Sequence, residues 1–121
     1  MKRLLVSLSF LIFLIPQILH SQAISTSKLA WSEDAPTLSD AQSYTYRYYS
    51  DGASVGTPIA SVVCTGITSP FQCEAPFPAF TPGNHTITLT AGNLAGESGK
   101  TSPLDFTFIV TPAIPTGLRI K

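Results

Sequence analysis

Beyond residue 24, apolar positions alternate with polar ones, and nowhere do they recur at the spacing of an amphipathic helix. The strictest run is 85–91, where Ile87, Leu89 and Ala91 share one face and Thr86, Thr88 and Thr90 the other. Residues 44–49 repeat the pattern, with Tyr44, Tyr46 and Tyr48 opposite Thr45, Arg47 and Tyr49. Residues 104–110 set Leu104, Phe106, Phe108 and Val110 on one face, and 28–32 pair Leu29 with Trp31. Two further strands are predicted over 59–65 and 71–77. Breaks between these runs come about every 8–12 residues, the rhythm of an all-β sandwich. Ten prolines and eight glycines punctuate the chain; they suit turns and strand edges and are costly inside helices. Ser50-Asp51-Gly52 predicts a tight turn because Asp-Gly tolerates positive φ. Phe80-Thr81-Pro82-Gly83 predicts another, and 33–43 and 92–103 read as polar loops. The expected fold is all-β, a single antiparallel sandwich of about seven strands.

The N-terminus has a different character. Met1-Lys2-Arg3 precedes an apolar stretch over 4–15, broken only by Ser7 and Ser9 and closed by Pro16, and Ser21-Gln22-Ala23 follows. Positive residues, an apolar run and then small residues make the layout of a secretory signal peptide. The run is well short of the roughly 20 residues that a membrane span needs. Cleavage is expected after Ala23, with Ser21 as the second choice. The chain then divides into a signal peptide over 1–23, a β-sandwich domain over 24–111 and a tail over 112–121, in a protein that is secreted or held at the cell surface. The 98 residues from Ile24 to Lys121 carry five Lys and Arg against seven Asp and Glu, a net charge of −2. That balance argues against a nucleic-acid partner, because phosphate contacts need clustered cations. It also lacks the polybasic segment that holds anionic lipid, and no stable membrane insertion is expected after cleavage.

Cys64 and Cys73 are the only cysteines. In an exported chain two cysteines this close predict one disulfide, tying the strand over 59–65 to the strand over 71–77. A redox-active dithiol usually has closer spacing, and a zinc site needs two more ligands. Closing a loop of this length is worth about 2.5–3 kcal/mol through chain entropy.

The stretch from Phe80-Thr81-Pro82-Gly83 through Ala91, Asn93, Gly96, Glu97 and Ser98 resembles the corner, strand and following loop of fibronectin type III domains. It is also similar to bacterial immunoglobulin-like repeats, whose corresponding strand often reads His-Thr-Ile-Thr, as residues 85–88 do here. Trp31 matches the core Trp of the family, and Tyr44 or Tyr46 the aromatic of its next strand. The resemblance implies an immunoglobulin-like sandwich over most of 28–110. It departs from the family where a Tyr usually stands before the long strand: here the turn is one residue shorter and His85 stands there, so that either His85 supplies a substitute hydrogen bond or the corner is built differently. It departs again before Trp31, where no first strand is evident, whereas Ile114, Leu118 and Ile120 share one parity in a tail that looks like a linker and a first strand.

Little in the chain points to catalysis. His85 is the one histidine after residue 23, and no Gly-x-Ser-x-Gly elbow offers a nucleophile. Glu33, Asp34 and Asp40 do not have the spacing of a 12-residue calcium loop. Glu33, Asp34 and Glu97 as a carboxylate pair for sugar hydrolysis would need a deep cleft that so small a sandwich offers little room for. The expectation is a non-catalytic binding or adhesion module with no cofactor and no metal. Its candidate contact residues are Glu33, Asp34 and Asp40 in one loop and Asn93, Glu97 and Lys100 in the other, with a protein or glycan as ligand. Tyr49 is the tyrosine best placed for the surface, and Asn84-His85-Thr86 is a glycosylation sequon. The alternative is self-association into a surface or filament subunit, the tail residues Ile114, Leu118 and Ile120 adding as a strand to a neighbour.

Overall fold

The computed structural model describes residues 21–121. The predicted signal peptide lies outside the described residues up to position 20. In chain order the elements are β1 (Ser21–Ala23), β2 (Lys28–Glu33), α1 (Leu38–Ser43), β3 (Thr45–Ser50) and β4 (Thr57–Pro58). They continue with β5 (Val63–Thr65), β6 (Phe71–Pro76), β7 (Gly83–Asn93), β8 (Gly96–Glu97) and β9 (Leu104–Phe108). The larger sheet has the order β1-β9-β7-β3-β4, with β8 returning along β7, and the smaller has the order β2-β6-β5. Among the described residues no helix is long and apolar enough to cross a membrane.

The alternation read from the sequence sets the inner faces of both sheets. Ile87 and Leu89 of β7, Phe106 and Phe108 of β9, Leu29 of β2 and Ala23 of β1 form one buried cluster. Phe77 and Phe80, from the segment between β6 and β7, pack edge-on against Phe106, with ring centroids 5.0 and 4.9 Å away. A second cluster gathers Tyr46, Phe71, Cys64, Cys73, Ala35 and Ala41, and Trp31 and Ile59 touch both clusters. Residues of the two sheets therefore share one interior, and burial of such side chains is the main drive to fold.

The predicted disulfide is present. Cys64 and Cys73 face each other across β5 and β6, with Cα atoms 4.0 Å apart. The Tyr46 hydroxyl sits 3.9 Å from each sulfur and donates to the Ala41 carbonyl at 2.7 Å. Burial pushes that hydroxyl well above the usual tyrosine range, and the Glu33 charge adds to the effect. At the predicted turn, Asp51 and Gly52 have φ of 50° and 76°, and Ala53 N–H donates to Ser50 C=O at 2.9 Å. Positive φ at both central residues is the turn type that matches strand twist.

Several expectations are corrected. The strand predicted over 59–65 is shorter than expected: only Val63–Thr65 forms a strand, β5, which pairs with β6, while β4, which pairs with β3, lies just before it at Thr57–Pro58. The chain passes between the sheets through Ser61, φ 58°, and the inward parity changes there: Ile59 packs inward before it, whereas Cys64 is buried and Val63 exposed after it. The polar loop expected over 33–43 contains α1. The Thr37 hydroxyl accepts from Asp40 N–H at 3.1 Å and caps the helix, and Ala41 is fully buried beneath it. The first-strand position is filled rather than vacant, because β1 lies along β9. That pair is parallel, so the larger sheet is mixed instead of purely antiparallel. On β9 only Phe106 and Phe108 are buried, and Leu104 and Val110 lie at exposed ends of the run. The tail after β9 forms no strand. Ile114, Leu118 and Ile120 are 88%, 101% and 102% exposed.

Candidate functional site

β2 ends at Glu33 and β7 ends at Asn93, and topology sets these two strand ends at the same end of the two sheets. Two features shape the ground between them. On one side, Asp34 accepts a hydrogen bond from the Ser69 hydroxyl at 2.5 Å, and Thr37 holds α1 in place. On the other, β7 turns at Leu94-Ala95 into β8. The Asn93 side chain accepts from Ala95 N–H at 2.8 Å, and Gly96 has φ 138°, a conformation that favours glycine. Ser98 N–H then donates to Ala91 C=O at 2.8 Å and Thr101 N–H to Leu89 C=O at 2.9 Å, so the segment after the hairpin is tied back along β7.

The result is a pair of open clefts flanking the hairpin. The first, about 360 Å³, is lined by Glu33, Asp34, Tyr44, Asn93, Glu97 and Ser98. The second, about 880 Å³, runs past Pro36, Asp40, Tyr44, Arg47 and Leu94. Tyr44 borders both, and Leu94 stands fully exposed at the hairpin tip. This surface sets the amphipathic ring of Tyr44 beside the exposed Leu94 tip and several carboxylates.

Compared with known protein families, curated proteins and solved structures, the chain matches none.

The carboxylates of the site differ in kind. Partial burial, reinforced by the neighbouring Asp34, raises the pKa of Glu33. Glu97 is held low: it accepts hydrogen bonds from Thr90 and from the Tyr49 hydroxyl, the latter at 2.5 Å, with the charges of Arg47 and Lys100 nearby. Asp40 is engaged by the Thr37 hydroxyl at 2.8 Å. Among the described residues, no group of three or more His, Cys, Asp or Glu side chains is gathered to hold a metal ion.

The structure thus brings Glu33, Asp34, Asn93 and Glu97 onto one cleft and places Asp40 on its neighbour. Lys100 lines neither cleft, although its charge lies near Glu97. Its ammonium lies 4.2 Å from the Tyr49 ring centroid, on the outer face of β3 and β7. Tyr49 is only half-buried, but its hydroxyl and one ring face are occupied by Glu97 and Lys100, which takes it out of the open surface. The residue that alternation missed is Tyr44. It precedes β3, so strand parity does not bury it fully, and the Thr37-x-x-Asp40 cap that shapes its surroundings is the one sequence signal pointing there. The tail residues Ile114, Leu118 and Ile120 follow β9, which ends at Phe108 opposite Gly83, at the other end of β7 from the clefts.

At that other end His85 does make a corner hydrogen bond. Its Nε2 is 2.7 Å from the Thr81 carbonyl, and its Nδ1 is 2.7 Å from an Asp51 carboxylate oxygen. Asn84 is exposed, and its side-chain oxygen accepts from the Thr107 hydroxyl at 2.7 Å.

Proposed function

We propose that this chain is a secreted or surface-displayed, non-catalytic binding module on an immunoglobulin-like or fibronectin type III-like β-sandwich, and that it contacts its protein or glycan ligand through the two clefts beside the β7–β8 hairpin. One observation carries the reading. Two segments about sixty residues apart in sequence, each anchored by its own side-chain caps, converge on a single surface that presents Tyr44 and Leu94 between carboxylates. A fixed surface of this kind loses little entropy on binding, which favours recognition. The clefts are shallow and the carboxylates lie in different hydrogen-bonded settings, which fits contact better than the paired-acid chemistry of hydrolysis. Screening the oxidised protein against arrayed glycans and extracellular proteins tests the reading. Binding that falls by about tenfold or more in Leu94→Asp or Tyr44→Ala, and not in Ile114→Asp, supports it. Binding indifferent to the first two variants contradicts it.

A second reading is a self-assembling surface or filament subunit. It is favoured by the full exposure of Leu118 and Ile120 in a tail without strand pairing of its own. Light scattering over a range of concentrations decides it. Oligomers that grow with concentration and vanish when residues 113–121 are deleted support assembly, and a monomer at all concentrations excludes it.

A further inference from the structure

We infer that the N-terminal leader is removed after Ser21, so that Gln22 and Ala23 remain in the mature protein as an edge strand. This rests on the proposal that the chain is exported. The sequence offers two small residues as the cleavage point, Ser21 and Ala23, and prefers the second. The structure separates them. Ala23 is 4% exposed and belongs to the cluster that holds Phe106 and Phe108. It lies opposite Phe108 in the parallel pairing of β1 with β9, and Gln22 lies opposite Thr107. Its carbonyl accepts the Ile109 N–H at 2.9 Å.

A cut after Ala23 removes all of this at once. β9 becomes the last strand of its sheet, Ile109 N–H loses its acceptor, and the rims of Phe106 and Phe108 are uncovered. The new ammonium would also fall on Ile24, directly beside the uncovered cluster. A cut after Ser21 gives up only the Ser21–Phe106 pairing and puts the new ammonium on the exposed Gln22. Either cut leaves Ser27 N–H donating to Ile24 C=O at 2.9 Å and Phe77 N–H to Ser27 C=O at 3.0 Å, but only the cut after Ser21 keeps Ile24 N an amide, donating to the Ser27 hydroxyl at 3.0 Å.

The test is the intact mass of the full chain, expressed with its own N-terminus and collected from the exported fraction. The expected mass is that of a protein beginning at Gln22, with or without the loss of ammonia that accompanies cyclisation of an N-terminal glutamine. A mass beginning at Ile24 overturns the inference and leaves the export reading standing. A chain that keeps its leader overturns both. Independently, oxidised proteins started at Gln22 and at Ile24 are compared by thermal unfolding. The second should melt lower by about 4–8 °C, and equal midpoints would overturn the inference.

Discussion

His85 Nδ1 lies 2.7 Å from Asp51 Oδ2, while His85 Nε2 lies 2.7 Å from the Thr81 carbonyl oxygen. Both partners are acceptors when Asp51 is ionised, so the ring satisfies both only with a proton on each nitrogen. The hydrogen bond to Asp51, then that to Thr81, raises the pKa of His85. The same ring, then the Thr86 N–H at 2.9 Å, lowers the pKa of Asp51. The contact fastens the start of β7 to the β3–β4 turn, with Asp105 along the same shallow cleft.

A pH dependence follows. The raised His85 contributes stability in full below its unfolded value near 6.5 and loses it as pH rises through the higher folded value. The lowered Asp51 contributes above its unfolded value near 3.8 and loses it as pH falls through the lower folded value. The pair therefore contributes most between about pH 4 and 6.5. Thermal midpoints of the wild type should fall from pH 6 to pH 9 by more than those of His85→Gln, whose side chain does not titrate. Parallel curves for the two proteins would remove the clamp from the account.

The disulfide closes a separation of nine residues between neighbouring strands. Its loss should cost about 2.5–3 kcal/mol. Urea unfolding of the wild type against the Cys64→Ser, Cys73→Ser double variant should show a lower midpoint with little change in slope. A shift below about 0.5 kcal/mol would mean that the packing of Tyr46 and α1 already holds this end without the bond.

Gly56 is needed for space rather than for backbone freedom. A Cβ there would stand 2.7 Å from the Cζ of Tyr49, whose hydroxyl is bonded to Glu97 and whose ring faces Lys100. Gly56→Ala should destabilise by on the order of 1 kcal/mol. The cost should disappear in a Tyr49→Ala background, and a double-mutant cycle reads the coupling. Additive effects would show that the cost of the added Cβ does not come from the Tyr49 ring.

Thr37→Ala removes the cap of α1 and should cost about 1 kcal/mol. Because α1 positions Asp40 beside the second cleft and buries Ala41, the same change should broaden amide signals over 37–44. Unchanged stability and spectra would assign the helix to packing alone.

How much of this was legible in the sequence depends on whether a residue's role is local. The Asp51-Gly52 turn, the Cys64–Cys73 bond and the inward faces of β2, β3 and β7 follow from residue type and alternation, which act over a few positions. The break over 59–62 does not, because Ser61 shifts the inward parity from Ile59 to Cys64, and that shift is set by the passage between two sheets rather than by neighbouring residue types. α1 is too short to show a helical period, and only Thr37 and Asp40 betray it. Ser21-Gln22-Ala23 reads as a processing segment because small residues serve that role and a tight edge strand equally well. In the candidate site, the loop carboxylates stand out as charges in polar segments. Which of them are engaged is a tertiary matter: Glu97 meets Tyr49 and Thr90 only once β8 folds back, and Tyr44 gains its place between two clefts only from the hairpin and helix around it.

The central claim is that ligand is met at the β7–β8 hairpin and the α1 end of the fold. Amide chemical-shift mapping tests it most directly, with labelled, oxidised protein titrated with a binder recovered from the arrays. The account predicts shifts concentrated at Glu33, Asp34, Tyr44, Asn93, Leu94 and Glu97, with residues 104–121 unmoved. Shifts concentrated on 104–121, with the hairpin silent, would contradict it.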